Sequence, residues 1–446
     1  SGIAFSLLKG LDYEEATVLA LMLAALVASR REFHRRASLF ADRFTTGWAL
    51  AVLGALSAAV VLGLLAYRQV VYTGDLWWRF ALDADAPRFL RASVGALAAV
   101  LAFGAVRLLA PAGPEGVEPT DVALERVASI AERSPHSYAW LALLGDKSFL
   151  FERDAFLMYA VEGRSWISLG DPVGPESEGA ELAWTFRERA DRHGGWTVFY
   201  QVRPENLPLY LDLGLTPTKL GEEARVPLDG FSLEGGRRKG RRRVLRKLQE
   251  AGVGFRMLDP GEVASVLPSL KAVSDAWLAD KNTREKGFSL GSFREEYVRR
   301  TPVAVAERDG RVIAFANVLA GAGREELTVD LMRYDPSAPP GVMEYLFLRL
   351  MLRGREEGYR WFNLGMAPLS GLEDRPFAPL TSRLGATLFR HGEHFYHFQG
   401  LRDYKQKFDP VWEPRYLASP GGLALPRVLA NIASLIGGGL RGVVTR

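Results

Sequence analysis

The 446-residue chain contains no cysteine. Thiol nucleophiles, cysteine-ligated zinc, iron–sulfur clusters and disulfides are therefore excluded, and the redox compartment stays open. A large charge imbalance is also lacking: 56 Lys and Arg against 52 Asp and Glu leave a net charge of +4. So small a balance does not mark a polyanion binder, and where the charges sit matters more than their sum. The chain starts at Ser1 with neither an initiator methionine nor a signal-peptide pattern, and it reads as part of a longer polypeptide. Apolar mass is abundant, with 48% hydrophobic and 24% charged residues. That composition excludes disorder and collagen, and the length suggests about three folding units.

The apolar residues are unevenly spread. Residues 44–67 form 24 positions without a charge, enough to cross a hydrocarbon core of about 30 Å. Residues 89–110 are similar, with Arg91 and Arg107 near the ends, where long side chains snorkel. Residues 16–29 form a shorter third candidate. Five arginines in the loop 30–43 favour placing that loop inside. The expectation is a membrane region of about three transmembrane helices over 1–112. It predicts a multi-pass protein of the cytoplasmic membrane, with everything after residue 110 in the cytoplasm.

After a Pro- and Gly-rich linker at 111–116, short apolar runs alternate with helical ones. A first unit, 118–230, reads as strands at 148–151, 155–161 and 166–169, a helix at 178–193, a strand at 196–201, a helix at 204–213 and a strand at 215–220. A second unit, 253–418, repeats the order with strands at 255–258, 303–307, 312–319 and 326–333, a helix at 341–357 and a strand at 361–364. The fold class is α/β, with two tandem copies of one unit. The connecting stretch 231–252 holds eight basic residues in eleven and no acid between 237 and 247: Arg237, Arg238, Lys239, Arg241, Arg242, Arg243, Arg246 and Lys247. Unbroken like charge on a helix suits a polyanion, either nucleic-acid phosphates or anionic lipid. Residues 421–446 read as an apolar or amphipathic helix that either lies on the bilayer or docks on the domain.

Several motif matches lack their structural context. Gly287-Phe-Ser-Leu-Gly291 matches a nucleophile elbow, but the preceding residues are charged and not a buried strand. His391, His394 and His397 have hairpin spacing and do not form a metal-ligating helix, so no metal site is expected. The strand order resembles the acyltransferase fold that usually binds acetyl-CoA. Its pyrophosphate loop would follow Arg333, where the chain has Pro336, Pro339 and Pro340. Proline removes N–H donors, so no acetyl-CoA or other cofactor is expected, and another activated acyl donor is.

Longer stretches carry a more specific resemblance. They are Trp277-Leu-Ala-Asp-Lys-Asn-Thr-Arg-Glu-Lys-Gly-Phe-Ser-Leu-Gly291, Val329-Asp-Leu-Met-Arg333, Pro340-Gly-Val-Met-Glu344, Trp361-Phe-Asn-Leu-Gly-Met-Ala-Pro-Leu-Ser370, and Phe398-Gln-Gly-Leu-Arg-Asp-Tyr-Lys-Gln-Lys-Phe408 with the following Asp409-Pro-Val-Trp-Glu-Pro-Arg-Tyr416. The chain resembles the bacterial phosphatidylglycerol aminoacyltransferases, the multiple peptide resistance factor family. The resemblance implies tandem acyltransferase domains after transmembrane helices. It also implies transfer of a lysyl or alanyl group from aminoacyl-tRNA to a glycerol hydroxyl of phosphatidylglycerol, which lowers membrane negative charge and gives resistance to cationic antimicrobial peptides. Aminoacyl-tRNA, phosphatidylglycerol and the membrane are the implied partners, and homo-oligomerisation stays open. Asp330 and Arg333 match the family's functional pair, and Lys405 a basic position for phosphate or oxyanion. Glu285, Lys281, His136, Lys407, Tyr404 and Glu344 are candidate substrate contacts. Side chains at i and i+3 of a flat strand point to opposite faces, so Asp330 and Arg333 share a site only if a bulge or strand end lies near Met332. A structural ion pair between them is the alternative. For the whole chain, a peptidoglycan-precursor aminoacyltransferase and a non-catalytic adaptor are the alternatives.

Overall fold

The computed structural model describes residues 119–372 and 398–437, with Thr17 and Leu21 as isolated positions before them. The three candidate spans and His391, His394 and His397 lie outside the described residues. Among the described residues, no helix is long and apolar enough to cross a membrane.

The described region is built on one eleven-stranded sheet. The strands are β1 (Ser148–Glu152), β2 (Ala155–Glu162), β3 (Ser165–Leu169), β4 (Trp196–Val202), β5 (Thr216–Pro227), β6 (Gly254–Leu258), β7 (Val303–Arg308), β8 (Arg311–Ala320), β9 (Glu326–Tyr334), β10 (Trp361–Pro368) and β11 (Val411–Ser419). The helices are α1 (Asp121–Ala131), α2 (Glu176–Arg192), α3 (Leu207–Asp212), α4 (Lys239–Glu250), α5 (Pro260–Asp280), α6 (Glu295–Arg299), α7 (Val342–Glu356), α8 (Phe398–Gln406) and α9 (Leu425–Gly437). A 3-10 segment, Ser137–Leu144, precedes β1.

Sheet order is β1-β2-β3-β4-β11-β5-β10-β9-β8-β7-β6. Each half runs through antiparallel strands, a helix and a parallel strand: β3 pairs parallel with β4 across α2, and β9 with β10 across α7. The two halves thus share an order of elements, but they do not close separately. The last strand of the second half, β11, pairs with β4 of the first. The last strand of the first half, β5, pairs with β10 of the second, and β5 and β11 pair with each other.

Apolar layers cover the sheet on both faces. In the first half Trp166, Phe186, Phe199 and Tyr210 pack beneath α2 and α3, while Val127, Phe156, Tyr200 and Val428 form the opposite layer with α1, the 3-10 segment and α9. In the second half Leu248, Phe347 and Phe362 pack with α4 and α7 on one face. Leu267, Phe315 and Leu331 pack with α5 and α6 on the other. Helix α5 starts at Pro260 behind a reciprocal Asp259–Glu262 capping box, which satisfies two otherwise unpaired N–H groups. Its far end leads into the 281–294 loop, the segment that builds the site described next.

Candidate active site

In a regular β9, Asp330 and Arg333 would diverge, but its pairing with β8 is interrupted. Ala316 lies opposite Met332 and Val318 opposite Val329, so three steps along β9 match two along β8. The extra residue falls at Asp330–Leu331, opposite Asn317, whose Oδ1 accepts the Leu331 N–H at 2.7 Å. The bulge resets the alternation. Leu331 joins the α5-side core, Val329 and Met332 the other, and Asp330 and Arg333 both contact the segment running from α5 to α6.

Asp330 is held on both oxygens. The Gly291 N–H donates to Oδ1 and the Tyr297 hydroxyl to Oδ2, each at 2.7 Å. Glycine is required at 291, because a Cβ there would lie 2.0 Å from Oδ2. Burial pushes the Asp330 carboxyl above its usual range, and the bonds from Tyr297 and Gly291 offset this only in part. Burial and the neighbouring Asp330 carboxylate keep the Tyr297 hydroxyl protonated, so it stays a donor.

The first half of the sheet steadies this loop. Lys147 is 2% exposed. Its Nζ donates to Asp146 Oδ1 at 2.6 Å and to the Leu141 carbonyl at 3.0 Å. The other Asp146 oxygen accepts the Phe288 N–H at 2.7 Å, and the Phe288 ring stacks on Tyr200. Burial draws the Lys147 ammonium down, opposed by Asp146 and then Asp330.

Arg333 pairs with Glu285, with Nη2 3.1 Å from Oε2, and its guanidinium lies 4.2 Å from the centroid of the Trp277 ring. Nη1 donates to the Met332 carbonyl at 3.1 Å. The Nε–H is buried and has no partner. The structural ion pair between Asp330 and Arg333 is thus replaced by Arg333–Glu285, because the 281–294 loop brings a closer acid to the guanidinium.

Lys281 lies at the edge of this group. Its Nζ pairs with Asp280 at 2.9 Å and sits 5.5 Å from the centroid of the Tyr334 ring. Lys405 is placed elsewhere. Its Nζ donates to the carbonyls of Gly365 (3.0 Å) and Met366 (2.8 Å), at the bulge of β10 against β5. Burial brings its ammonium down to about 8, with Glu223 opposing. His136 belongs to a different network, with Nε2 3.0 Å from Arg203 Nη1. Burial, then Arg203, Arg225 and Arg415, brings its imidazole down to about 3, so it is neutral near pH 7. Glu344 and Tyr404 come together with Tyr334 around a cavity of about 270 Å³, and Lys407 Nζ lies 5.2 Å from the Tyr404 ring centroid.

The basic helix is split in role. Arg241 is 8% exposed and bonds Asp409 at 2.8 Å and the Lys407 carbonyl. That inward turn corrects its sequence placement among the polyanion contacts. Arg238 donates to the Ser232 carbonyl, and Arg242 to those of Leu233 and Gly235. Lys239, Arg243, Arg246 and Lys247 are exposed. Only the backbone of Arg237 is described.

Sequence reasoning did not single out Trp277, Gly291, Tyr297, Asp146 or Lys147 as site residues. Trp277 and Gly291 bound a quoted motif, and that was their only signal. Tyr297 and Asp146 contribute through contacts distant in sequence, and Lys147 acts through Asp146, so local pattern does not carry them.

The family model described as phosphatidylglycerol lysyltransferase, C-terminal, matches residues 128–419. A phosphatidylglycerol lysyltransferase of Bacillus subtilis is 32% identical over 98% of this chain and 51% of its own length. One from Staphylococcus aureus is 39% identical over 66% of this chain and 35% of its own. The chain therefore spans about half, or less, of the length of these relatives. The crystal structure of the C-terminal domain of a putative lysylphosphatidylglycerol synthetase from Agrobacterium fabrum shares 44% identity at a TM-score of 0.65, covering 72% of this chain and 98% of that one. The L-PGS structure from Bacillus licheniformis shares 37% at 0.65, covering 73% and 99%. The chain belongs to the phosphatidylglycerol lysyltransferase C-terminal family.

Proposed function

We propose that this chain transfers an aminoacyl group from aminoacyl-tRNA to a glycerol hydroxyl of phosphatidylglycerol, on a tandem acyltransferase-like fold held at the cytoplasmic face of a membrane by the apolar segments of 1–112. The observation that carries the reading is the β9 bulge. It sets a buried carboxylate above its usual range and a guanidinium with an unused N–H on one face of one strand.

The donor ester is already activated, so exchange of one ester for another calls for positioning, a proton acceptor and a site for the oxyanion. The lipid hydroxyl oxygen bonds to the ester carbonyl carbon while Asp330 takes its proton. The oxyanion meets the free Nε–H of Arg333. When the tetrahedral intermediate collapses, the bond to the ribose oxygen breaks and that oxygen receives the proton. Glu285 and Trp277 keep the guanidinium oriented, while Gly291 and Tyr297 do the same for the carboxylate. The exposed cations of α4 suit the phosphates of the donor. The product lipid carries an added ammonium, so the surface is less negative and attracts cationic peptides less.

The test is thin-layer separation of lipids after the chain is mixed with phosphatidylglycerol vesicles and radiolabelled aminoacyl-tRNA. Labelled lipid is expected only when both substrates are present. Label from free amino acid and ATP alone, or label on a peptidoglycan precursor and not on lipid, would sink the reading.

A further inference from the structure

The turn that presents the Gly291 N–H to Asp330 is strained. The Leu290 N–H donates to the Gly287 carbonyl at 3.2 Å and closes the turn 287–290. Phe288 fills its first central position with a φ of 59°. Turns with a positive φ there normally use glycine, asparagine or aspartate. A bulky residue keeps such a conformation only where its surroundings hold it, and strain of this kind gathers at working sites.

The hold comes from the first half of the sheet. Asp146 Oδ2 accepts the Phe288 N–H at 2.7 Å. The Phe288 ring is 2% exposed, stacks on Tyr200 and lies 5.9 Å from Lys147 Nζ. Gly287 closes on the same carboxylate, since a Cβ there would lie 3.3 Å from Asp146 Oδ2. Lys147 in turn orients Asp146 through Oδ1, and its own side chain has no exposed surface. The surrounding layer is apolar, with Leu143, Leu144, Tyr200 and Phe288 in one buried cluster. If filling space were the task of this ion pair, apolar side chains of similar volume would serve as well or better.

The chain of contacts ends on the carboxylate. Gly291 follows the turn directly, and its N–H donates to Asp330 Oδ1 at 2.7 Å. Asp330 is also faced by Tyr297 of α6, by the Lys147 ammonium beside Asp146, and by Arg333 with its partner Glu285. Arg294 lies beyond Lys147, with Nη1 on the Leu144 carbonyl at 2.8 Å. Asn317 of β8, opposite the bulge, is neutral. Lys147 is thus the cation that the first half brings to Asp330.

We propose that Asp146 and Lys147 are positioning residues for the transfer: they hold the strained Phe288 turn so that the Gly291 N–H meets the Asp330 carboxylate, and the Lys147 ammonium supports that carboxylate's charge. The proposal rests on the transferase reading above, but two arms of its test need no turnover. Asp146→Asn keeps one carbonyl-type acceptor where two are used. Amide exchange of 287–294, followed by mass spectrometry, should quicken about tenfold in it, the scale of one hydrogen bond, while β8 exchanges as before. In Lys147→Met, adding Asp330→Asn should raise the melting temperature near pH 7 by more than it does in the unaltered chain. The fold opposes an ionised carboxylate more strongly once the ammonium is gone. In the third arm, lipid aminoacylation by each variant should lose about tenfold or more in kcat with KM for aminoacyl-tRNA unchanged. The acid limb of the Lys147→Met rate profile should move to higher pH, which a purely structural role would not cause. Should Lys147→Met fail to fold, Asp146→Asn/Lys147→Met leaves neither charge alone and takes its place. Unchanged exchange in 287–294, an unchanged melting increment, or full kcat in the folded variants would each overturn the proposal. No labelled lipid from the unaltered chain, with both turnover-free arms as expected, would uphold the hold on Asp330 and sink the transferase reading instead.

Discussion

A carboxylate that accepts hydrogen bonds on both oxygens and still titrates above its usual range is one whose charge the fold opposes. For Asp330 the folded value lies above the unfolded 3.8, so the folded state holds the proton more readily. Its contribution favours the fold below the unfolded value and is lost as pH rises through the folded one. Asp330→Asn is never charged. Near pH 7 it should melt at or above the unaltered chain, and that gap should close as pH falls toward 4, followed by calorimetry. Lipid aminoacylation should meanwhile fall by about 10² or more, the scale of a positioned acid–base group. Full activity in the folded variant would remove Asp330 from the chemistry. At this scale the sequence made Asp330 and Arg333 legible, together with the bulge they require. It could not show that Arg333 would pair with Glu285, because that choice is made by a loop 48 residues away in the chain.

Two helices show how an element's composition and its role diverge. Helix α4 has a thin apolar strip, and its packing follows it: Leu248 is 1% exposed, with Val244 and Leu245 against the same core. Its arginines look alike in sequence, yet Arg241 is spent on Asp409 while Arg243, Arg246 and Lys247 face outward. The exposed Arg246–Glu250 pair, at 3.7 Å, contributes little. If α4 takes the donor as proposed, replacing Arg243, Arg246 and Lys247 with Ala should flatten the salt dependence of tRNA binding, by a log–log slope of up to about 0.9 per lost duplex phosphate contact. Arg241→Ala should lower the melting temperature and leave that slope alone. An unaltered slope in the triple variant would assign the face to another partner. Helix α9 left two readings open from sequence, and the structure docks it on the first half. Leu425, Val428 and Ile432 are buried, Asn431 donates to the Glu162 carbonyl and Ser165 Oγ at 2.9 Å each, and the Ile436 carbonyl accepts the Gly287 N–H. Removing 423–446 should cost several kcal/mol, at about 1.5–3 for each buried aliphatic side chain. It should also loosen the 281–294 loop, so turnover should fall for both substrates. A change confined to the lipid KM, with melting unaltered, would restore the bilayer as the helix's site.

At the scale of the molecule, the element order was legible and the closure of the sheet was not. Periodicity marks a strand but does not say which strand it joins. β11 was read only as a motif, because Glu413, Pro414 and Arg415 break any apolar alternation. These charges are tolerated in mid-sheet because their partners are there: Arg415 pairs with Glu223, and Arg225 with Glu413 at 3.0 Å. Unpaired, each would be costly to bury. Since β11 fills the gap between β4 and β5, a first half cut at the exposed turn near Gly230 has no strand to place beside β4, and Arg225 and Glu223 lose their partners. The second half alone likewise lacks β5 beside β10. Residues 115–230 and 231–446 made separately should each fail to give a cooperative thermal transition by circular dichroism. Made together, they should associate, regain the transition and recover lipid aminoacylation. A cooperative melt from 115–230 alone would mean that the exchanged strands are dispensable, and that each half closes its own sheet when free to do so.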